Sequence, residues 1–287
     1  TSEQPARDAA LMRGNSSAYC LALPASLLLA SGNSTALQLN GARTQGGLVI
    51  GRVAPRERVF LDSREVRVSP DGVFLIGFGR DAPSEVKLLV QNRDGVRVEK
   101  RLSISKRSYK VSHVNGLPES KVTPKPSDMK KIREDNSKIA RVRKLDSAEA
   151  HFMTGFIWPA TGRISGVFGS QRILNGEPRR PHNGIDIAAP RGTPVVAMAE
   201  GQVALANSDM FLTGKTVMIN HGHGLTSIYI HMDRITVKRA DLVSRGQQIG
   251  AVGMTGRATG PHLHWGVSLF NTKLDPALLV GSMDGIN

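Results

Sequence analysis

The chain has 287 residues, 40% hydrophobic and 22% charged, a composition that argues against general disorder. At roughly 150 residues per domain it should hold about two domains. The net charge of +14, gathered mostly before residue 151, favours anionic partners; with neither a zinc-finger spacing nor an aromatic RNP run present, nucleic acid is not the expected one.

Residues 1–36 contain the single cysteine, Cys20, which excludes an intramolecular disulfide and any cysteine-based metal site. Cys20 opens the run CLALPASLLLA, with Arg7 and Arg13 before it and SGNSTA after it. That is the order of a secretory signal, and cleavage after Ala36 is expected on this reading. The run is too short to span a bilayer, which needs about 20 apolar residues. The alternative for this segment is a buried strand pair broken at Pro24.

Residues 37–111 alternate as strands do. VRVSPDGVFLIGF turns at Pro70-Asp71-Gly72, and KLLVQNRDGVRVEKRLSI turns at Asn92-Arg93-Asp94-Gly95. Short strands at this spacing predict a small immunoglobulin-like β-sandwich. Residues 112–150 follow as a linker, Pro-rich in LPESKVTPKPSD. Met129, Ile132, Ile139, Val142 and Leu145 then predict an amphipathic helix of about 18 residues, with Lys130, Lys131, Arg133, Arg141 and Arg143 on its polar side. Docking as a connector and contact with an acidic polymer are both open to it.

From residue 151 to 287, short runs such as KTVMINHG, TSIYIHM and QQIGAVGMTG are separated by glycine turns. They predict a second, antiparallel all-β domain.

This domain carries the chemistry. In PHNGIDIAAP, His182 precedes Asp186, a carboxylate flanked by isoleucines that cannot be buried unpaired at low cost. In SIYIHM, alternation sets Ser227, Tyr229 and His231 on one face and Ile228 and Ile230 on the other. The isoleucines are assigned to the core, leaving Tyr229 and His231 facing solvent. In GPHLHWGV, His262 and His264 share a face, with Cβ atoms roughly 7 Å apart. A catalytic Zn²⁺ takes three protein ligands and keeps one position open. His182, Asp186 and one of His262 and His264 would make such a set, with the remaining histidines left to handle protons. His221 and His223 in NHGHG sit at a glycine turn and are read as structural or surface residues.

PHNGIDIAAPRGTPVVAMAEGQV, the YxH of SIYIHM and TGRATGPHLHWGV resemble the lysostaphin-type (LytM-domain) zinc endopeptidases, over about residues 158–276. The resemblance implies a β domain with one zinc ion per chain in a long groove, and peptidoglycan peptides as substrate. It implies His182, Asp186 and His264 as ligands, and His231 and His262 as the catalytic pair. Tyr229, Arg172 and Arg180 are expected to line the substrate groove. The expected protein is a monomeric periplasmic or secreted endopeptidase, in transient contact with the envelope. The alternative is a non-catalytic or self-inhibited LytM factor that binds peptidoglycan or activates a cell-wall amidase.

Overall fold

The computed structural model describes residues 37–114, 124–178 and 180–283; the expected signal-like segment, residues 1–36, lies outside them. The fold is mostly β, with antiparallel sheets and one α-helix among the described residues.

The N-terminal strands are β1 (Gln38–Gly41), β2 (Leu48–Arg52), β3 (Arg58–Leu61), β4 (Arg64–Val66), β5 (Val73–Gly77), β6 (Glu85–Gln91) and β7 (Arg97–Ser103). They form two sheets, in the orders β1-β2-β5 and β4-β3-β6-β7. This is the immunoglobulin plan with its fourth strand moved to the opposite sheet. Val49, Phe74 and Ile76 of one sheet face Val59, Leu88 and Leu102 of the other across a dry core. The turn at 69–72 closes as its sequence suggests: Gly72, at φ 83°, lies where a Cβ would strike the Val53 carbonyl.

Beyond the sandwich, β8 (Val111–Val114) runs parallel to β10 (Gln171–Leu174), which in turn forms a hairpin with β11 (Glu177–Pro178). The linker thus contributes a strand to the second assembly. Helix α1 (Met129–Val142) has 14 residues and buries Ile132, Asp135, Ile139 and Val142. It is shorter than the periodicity predicts because the chain turns at Arg143–Leu145, leaving Leu145 41% exposed.

The C-terminal assembly comprises β9 (Arg163–Gly166), β12 (Ile185–Ala188), β13 (Pro194–Val196), β14 (Gly201–Met210), β15 (Gly214–Gly222), β16 (Leu225–Met232), β17 (Arg234–Ile235), β18 (Leu242–Val243), β19 (Gln248–Ala251), β20 (His262–Leu269) and β21 (Thr272–Leu274). The large sheet has the order β18-β14-β15-β16-β20-β12-β9, with β21 also on β20. One face covers a core of Ile185, Tyr229, Leu263, Trp265, Val267 and Leu269. The sandwich shares it: Leu48, Val73 and Leu75, on the outer side of β2 and β5, pack into the same cluster as Leu269 and Leu274. On the other face, α1 lays Ile139 and Val142 against Met210, Met218, Ile228 and Ile230. No helix among the described residues is long and apolar enough to cross a membrane.

Candidate metal centre

Two strand registers assemble the site. Asp186 on β12 lies opposite His264 on β20, and Ala188 opposite His262. Opposed residues share a face and alternate along the strand. Asp186, His262 and His264 therefore project together, while Ile185, Leu263 and Trp265 point into the core. His182 arrives from the preceding loop through Asn183 and Gly184. A Cβ at Gly184 would sit 2.3 Å from the Trp265 carbonyl and 2.9 Å from His264 Nε2, so this close approach requires glycine.

The donor atoms converge. His182 Nε2 lies 3.0 Å and His264 Nδ1 2.8 Å from Asp186 Oδ1, and the two imidazole nitrogens are 2.9 Å apart. His182 Nδ1 is 3.1 Å from the Val167 carbonyl; a carbonyl only accepts, so this nitrogen carries the hydrogen and Nε2 offers its lone pair. Burial by itself would raise the Asp186 carboxyl, but the His182 and His264 rings at its oxygen, when protonated, outweigh it through their hydrogen bonds and charge. The carboxylate is held well below its ordinary range. Among the described residues, these three form a cluster whose ligand atoms all lie within 4.8 Å of one another. A tetrahedral zinc ion with bonds of about 2.0–2.1 Å needs donor separations of roughly 3.3 Å. The triangle is a few tenths of an ångström tighter than that, and its two nitrogens and one oxygen suit zinc.

His231 and His262 stand beside this triangle with ring centroids 4.9 Å apart. His262 Nε2 is 4.0 Å from Asp186 Oδ1, while its Nδ1 donates to the Gly260 carbonyl at 2.8 Å. His231 Nδ1 donates to the Thr255 carbonyl at 2.7 Å. Both rings therefore leave Nε2 without a hydrogen. Burial, reinforced by the charge of His262, pushes the His231 imidazole down to about 4 against the opposing Thr255 bond, so it is neutral near pH 7.

His231 reaches this face by a route that strand alternation misses. Lys215 opposes Met232 and Val217 opposes Tyr229, so β16 carries one residue more than β15 between those pairs. His231 occupies the bulge at φ 63°, and the extra residue turns its side chain to the opposite face. The expected faces are thereby exchanged. Ile228 and Ile230 lie on the site face, Ile230 directly opposite His264, under α1. Tyr229 faces the core with no exposed surface.

Tyr229 is thus corrected as a groove residue. Its hydroxyl accepts from the Met198 N–H at 2.9 Å and lies 3.1 Å from Ser227 Oγ, and burial pushes it up to about 12. Ser227 Oγ is 2.8 Å from His221 Nε2, whose Nδ1 donates to the Glu200 carbonyl. His221 is a structural histidine, as the glycine turn suggested. Arg180 is exposed just before Pro181 and His182, and Arg172 lies on β10 opposite Ser112.

Thr255 and Asp135 are residues the motifs do not announce. Thr255 Oγ1 accepts from the Lys215 N–H and donates to the Met232 carbonyl, each at 2.9 Å, and so brackets the bulge. Gly256, at φ 69°, packs where a Cβ would lie 2.4 Å from Gly214 N. Asp135, 4% exposed on α1, accepts from the Phe211 N–H at 2.9 Å and from Lys131 and Lys138 at 3.2 Å. It pins the β14–β15 tip, where Thr213 accepts the His231 N–H. Charge alternation along α1 could have pointed to Asp135; nothing local points to Thr255.

Residues 180–276 match the model of Peptidase family M23. A peptidase M23 structure from Pseudomonas aeruginosa is 31% identical, with a TM-score of 0.64 over 83% of this chain and 94% of that one. The peptidoglycan DD-endopeptidase ShyA of Vibrio cholerae is 44% identical over 104 residues, 36% of this chain and 24% of ShyA. The cell division protein DipM of Caulobacter vibrioides is 32% identical over 165 residues, 55% of this chain and 26% of DipM. The chain spans about a quarter of the length of these curated relatives.

Proposed function

The chain belongs to peptidase family M23 through residues 180–276, and from that premise we propose that it is a zinc metallo-endopeptidase hydrolysing peptide cross-links or stem peptides of peptidoglycan. The observation that carries this reading is the convergence of His182 Nε2, Asp186 Oδ1 and His264 Nδ1, with His231 and His262 presenting Nε2 beside them. The DD-endopeptidase relatives support the substrate class. A periplasmic or secreted location follows from that substrate.

His182, Asp186 and His264 would hold the ion. Zinc, when bound there, supplies an acidified water and polarises the scissile carbonyl. The chain's own residues do the rest. Val167 fixes His182 in the tautomer that ligates through Nε2. His231 and His262, held by Thr255 and Gly260, have Nε2 free to accept the proton of the attacking water. The imidazole that takes that proton becomes a donor and can deliver it to the leaving amine. The neutral state of His231 suits it to the accepting role.

Similarity to a protein named for cell division leaves room for a second reading, a non-catalytic or self-inhibited factor that binds peptidoglycan or activates a cell-wall amidase. The complete five-residue set weighs against it. Digestion of purified sacculi by the zinc-loaded protein and by His262→Ala separates the two readings. Soluble muropeptides should appear with the first protein only; their absence from both would leave the factor reading.

A further inference from the structure

Of the three donors in the metal cluster, Asp186 and His264 stand on paired strands, and the β12–β20 register fixes their backbones. His182 precedes β12 and belongs to no strand. It is held instead by the turn that links β9 to β10. The His182 N–H donates to the Ser170 carbonyl at 3.0 Å, and the His182 carbonyl accepts from the Gly169 N–H at 2.8 Å. The ring bond to the Val167 carbonyl comes from the same turn. Ser170 Oγ donates to that carbonyl as well, at 3.0 Å. Both the place and the tautomer of this ligand therefore follow residues 167–170.

That turn is gripped from the sandwich side. Arg80, in the loop between β5 and β6, donates through Nε to the Gly169 carbonyl at 2.8 Å. Tyr109, between β7 and β8, lays its ring on Gly169. The glycine has φ 78°, and a Cβ there would sit 2.2 Å from two ring carbons, so no side chain fits. The same ring meets Phe168 edge-on, with centroids 6.3 Å apart. Tyr109 and Arg80 also hold each other: the guanidinium lies 4.4 Å from the ring centroid, and the Tyr109 hydroxyl donates to the Arg80 carbonyl at 3.2 Å. Arg107 approaches the ring at 5.4 Å and is itself tied to Asp275 by a 2.8 Å ion pair. The Lys110 carbonyl accepts the Gln171 N–H at 2.9 Å, which carries the grip into β10.

We propose that Arg80 and Tyr109 are positioning residues for the metal site: through the turn at 167–170 they present His182 to the other two ligands and so set the affinity for zinc. The inference rests on the metal-centre part of the proposed function, not on hydrolysis. A ligand that swings freely must be ordered when the ion binds, whereas one already in place spares that entropic cost. The sandwich is then a working part of the metal centre and not only a tether beside it.

Zinc affinity of the full chain, read by competition with a chromogenic chelator, tests this without turnover. The visible spectrum of the cobalt-loaded protein reads the ligand geometry. Tyr109→Ala and Arg80→Gln should each raise the zinc Kd by about ten- to a hundredfold, the range for lost supports of a ligand, and shift the cobalt bands. Tyr109→Phe keeps the ring and Arg80→Lys keeps a donor, so both should stay close to wild type. Removing a positive charge by itself favours a bound cation; a weaker site in Arg80→Gln has to come from lost positioning or from general loosening of the fold. Asp135→Ala separates these, because the partners of Asp135 lie elsewhere, and its Kd should not change. Arg80 is partly exposed, so Arg80→Gln should fold and decides alone if Tyr109→Ala does not. An unchanged Kd in Arg80→Gln, or an equal loss in Asp135→Ala, would overturn the proposal. Digestion of sacculi is scored apart from this: no digestion by wild type with the Kd pattern intact removes the endopeptidase reading and leaves the positioning role. Digestion with a Kd indifferent to Arg80 does the reverse.

Discussion

His231 and Thr255 are joined by a 2.7 Å hydrogen bond from the imidazole Nδ1 to the backbone carbonyl, and that bond decides what the histidine can do. It fixes the tautomer with Nε2 as the acceptor, beside the His262 ring, and holds the ring in a bulge at φ 63°. The Thr255 side chain keeps its own carbonyl in place by bonding both Lys215 and Met232. Thr255→Val should therefore lower kcat by roughly ten- to a hundredfold, the range for lost supports of a site, while zinc content stays at one per chain. Rate measurements with parallel metal analysis decide it; a loss of zinc in Thr255→Val would place the residue's effect elsewhere.

The division of labour within GPHLHWGV gives a second expectation. His264 Nδ1 belongs to the donor triangle, 2.8 Å from Asp186 Oδ1, whereas His262 Nε2 lies 4.0 Å from the same oxygen. His264→Ala should lose zinc, and His262→Ala should retain it but lose hydrolysis of sacculi. Equal metal loss in the two variants would contradict the geometry.

The buried network under the site makes the metal-free protein sensitive to acid. His221 is pushed down to about 4 by burial, which outweighs the hydrogen bond to Glu200. The unfolded chain binds more protons between about 6.5 and about 4, so stability is fully present above pH 6.5 and falls as the pH drops through that window. His231 shares the direction and the window. Urea midpoints should fall from pH 7 to pH 4.5, and less steeply in a His221→Gln/His231→Gln double variant. A midpoint constant over that range would refute the linkage.

Asp135 ties α1 to the β14–β15 tip. Its removal leaves the Phe211 N–H without its acceptor in a partly buried contact, at a cost of about 1–2 kcal/mol. Asp135→Ala should lower the urea midpoint accordingly with the slope unchanged, and Asp135→Asn, which keeps an acceptor, should lose less than half as much. A neutral Asp135→Ala would mean that the helix is held by Ile139 and Val142 alone.

Much of this was legible in sequence because it rests on short-range rules. Alternation was enough to set His262 and His264 on one face, and Asp186 between two isoleucines had to be partnered. The turns at 69–72 and 92–95 bracketed strands whose spacing gave the sandwich. Setting Tyr229 on the same face as His231 went wrong for a definite reason. Alternation assumes an unbroken ladder, and the extra residue in β16 is compelled by its partner strands and the Thr255 loop, none of which are local to SIYIHM. The parallel pairing of β8 with β10 was hidden likewise, since nothing in VSHV names a strand some sixty residues away. Asp135 looked like one charge among many on a basic helix until its acceptor role at Phe211 appeared.

The cluster that joins Leu48, Val73 and Leu75 to Leu269 and Leu274 bears on how this molecule can be rearranged. β20 carries His262 and His264 at one end and Leu269 at the other, so the strand that holds the chemistry is anchored on the sandwich. A catalytic region transplanted alone would leave that end of β20 wet and apolar, an aggregation hazard. Chimeras between relatives should therefore exchange the sandwich and the peptidase together, as a single heritable piece.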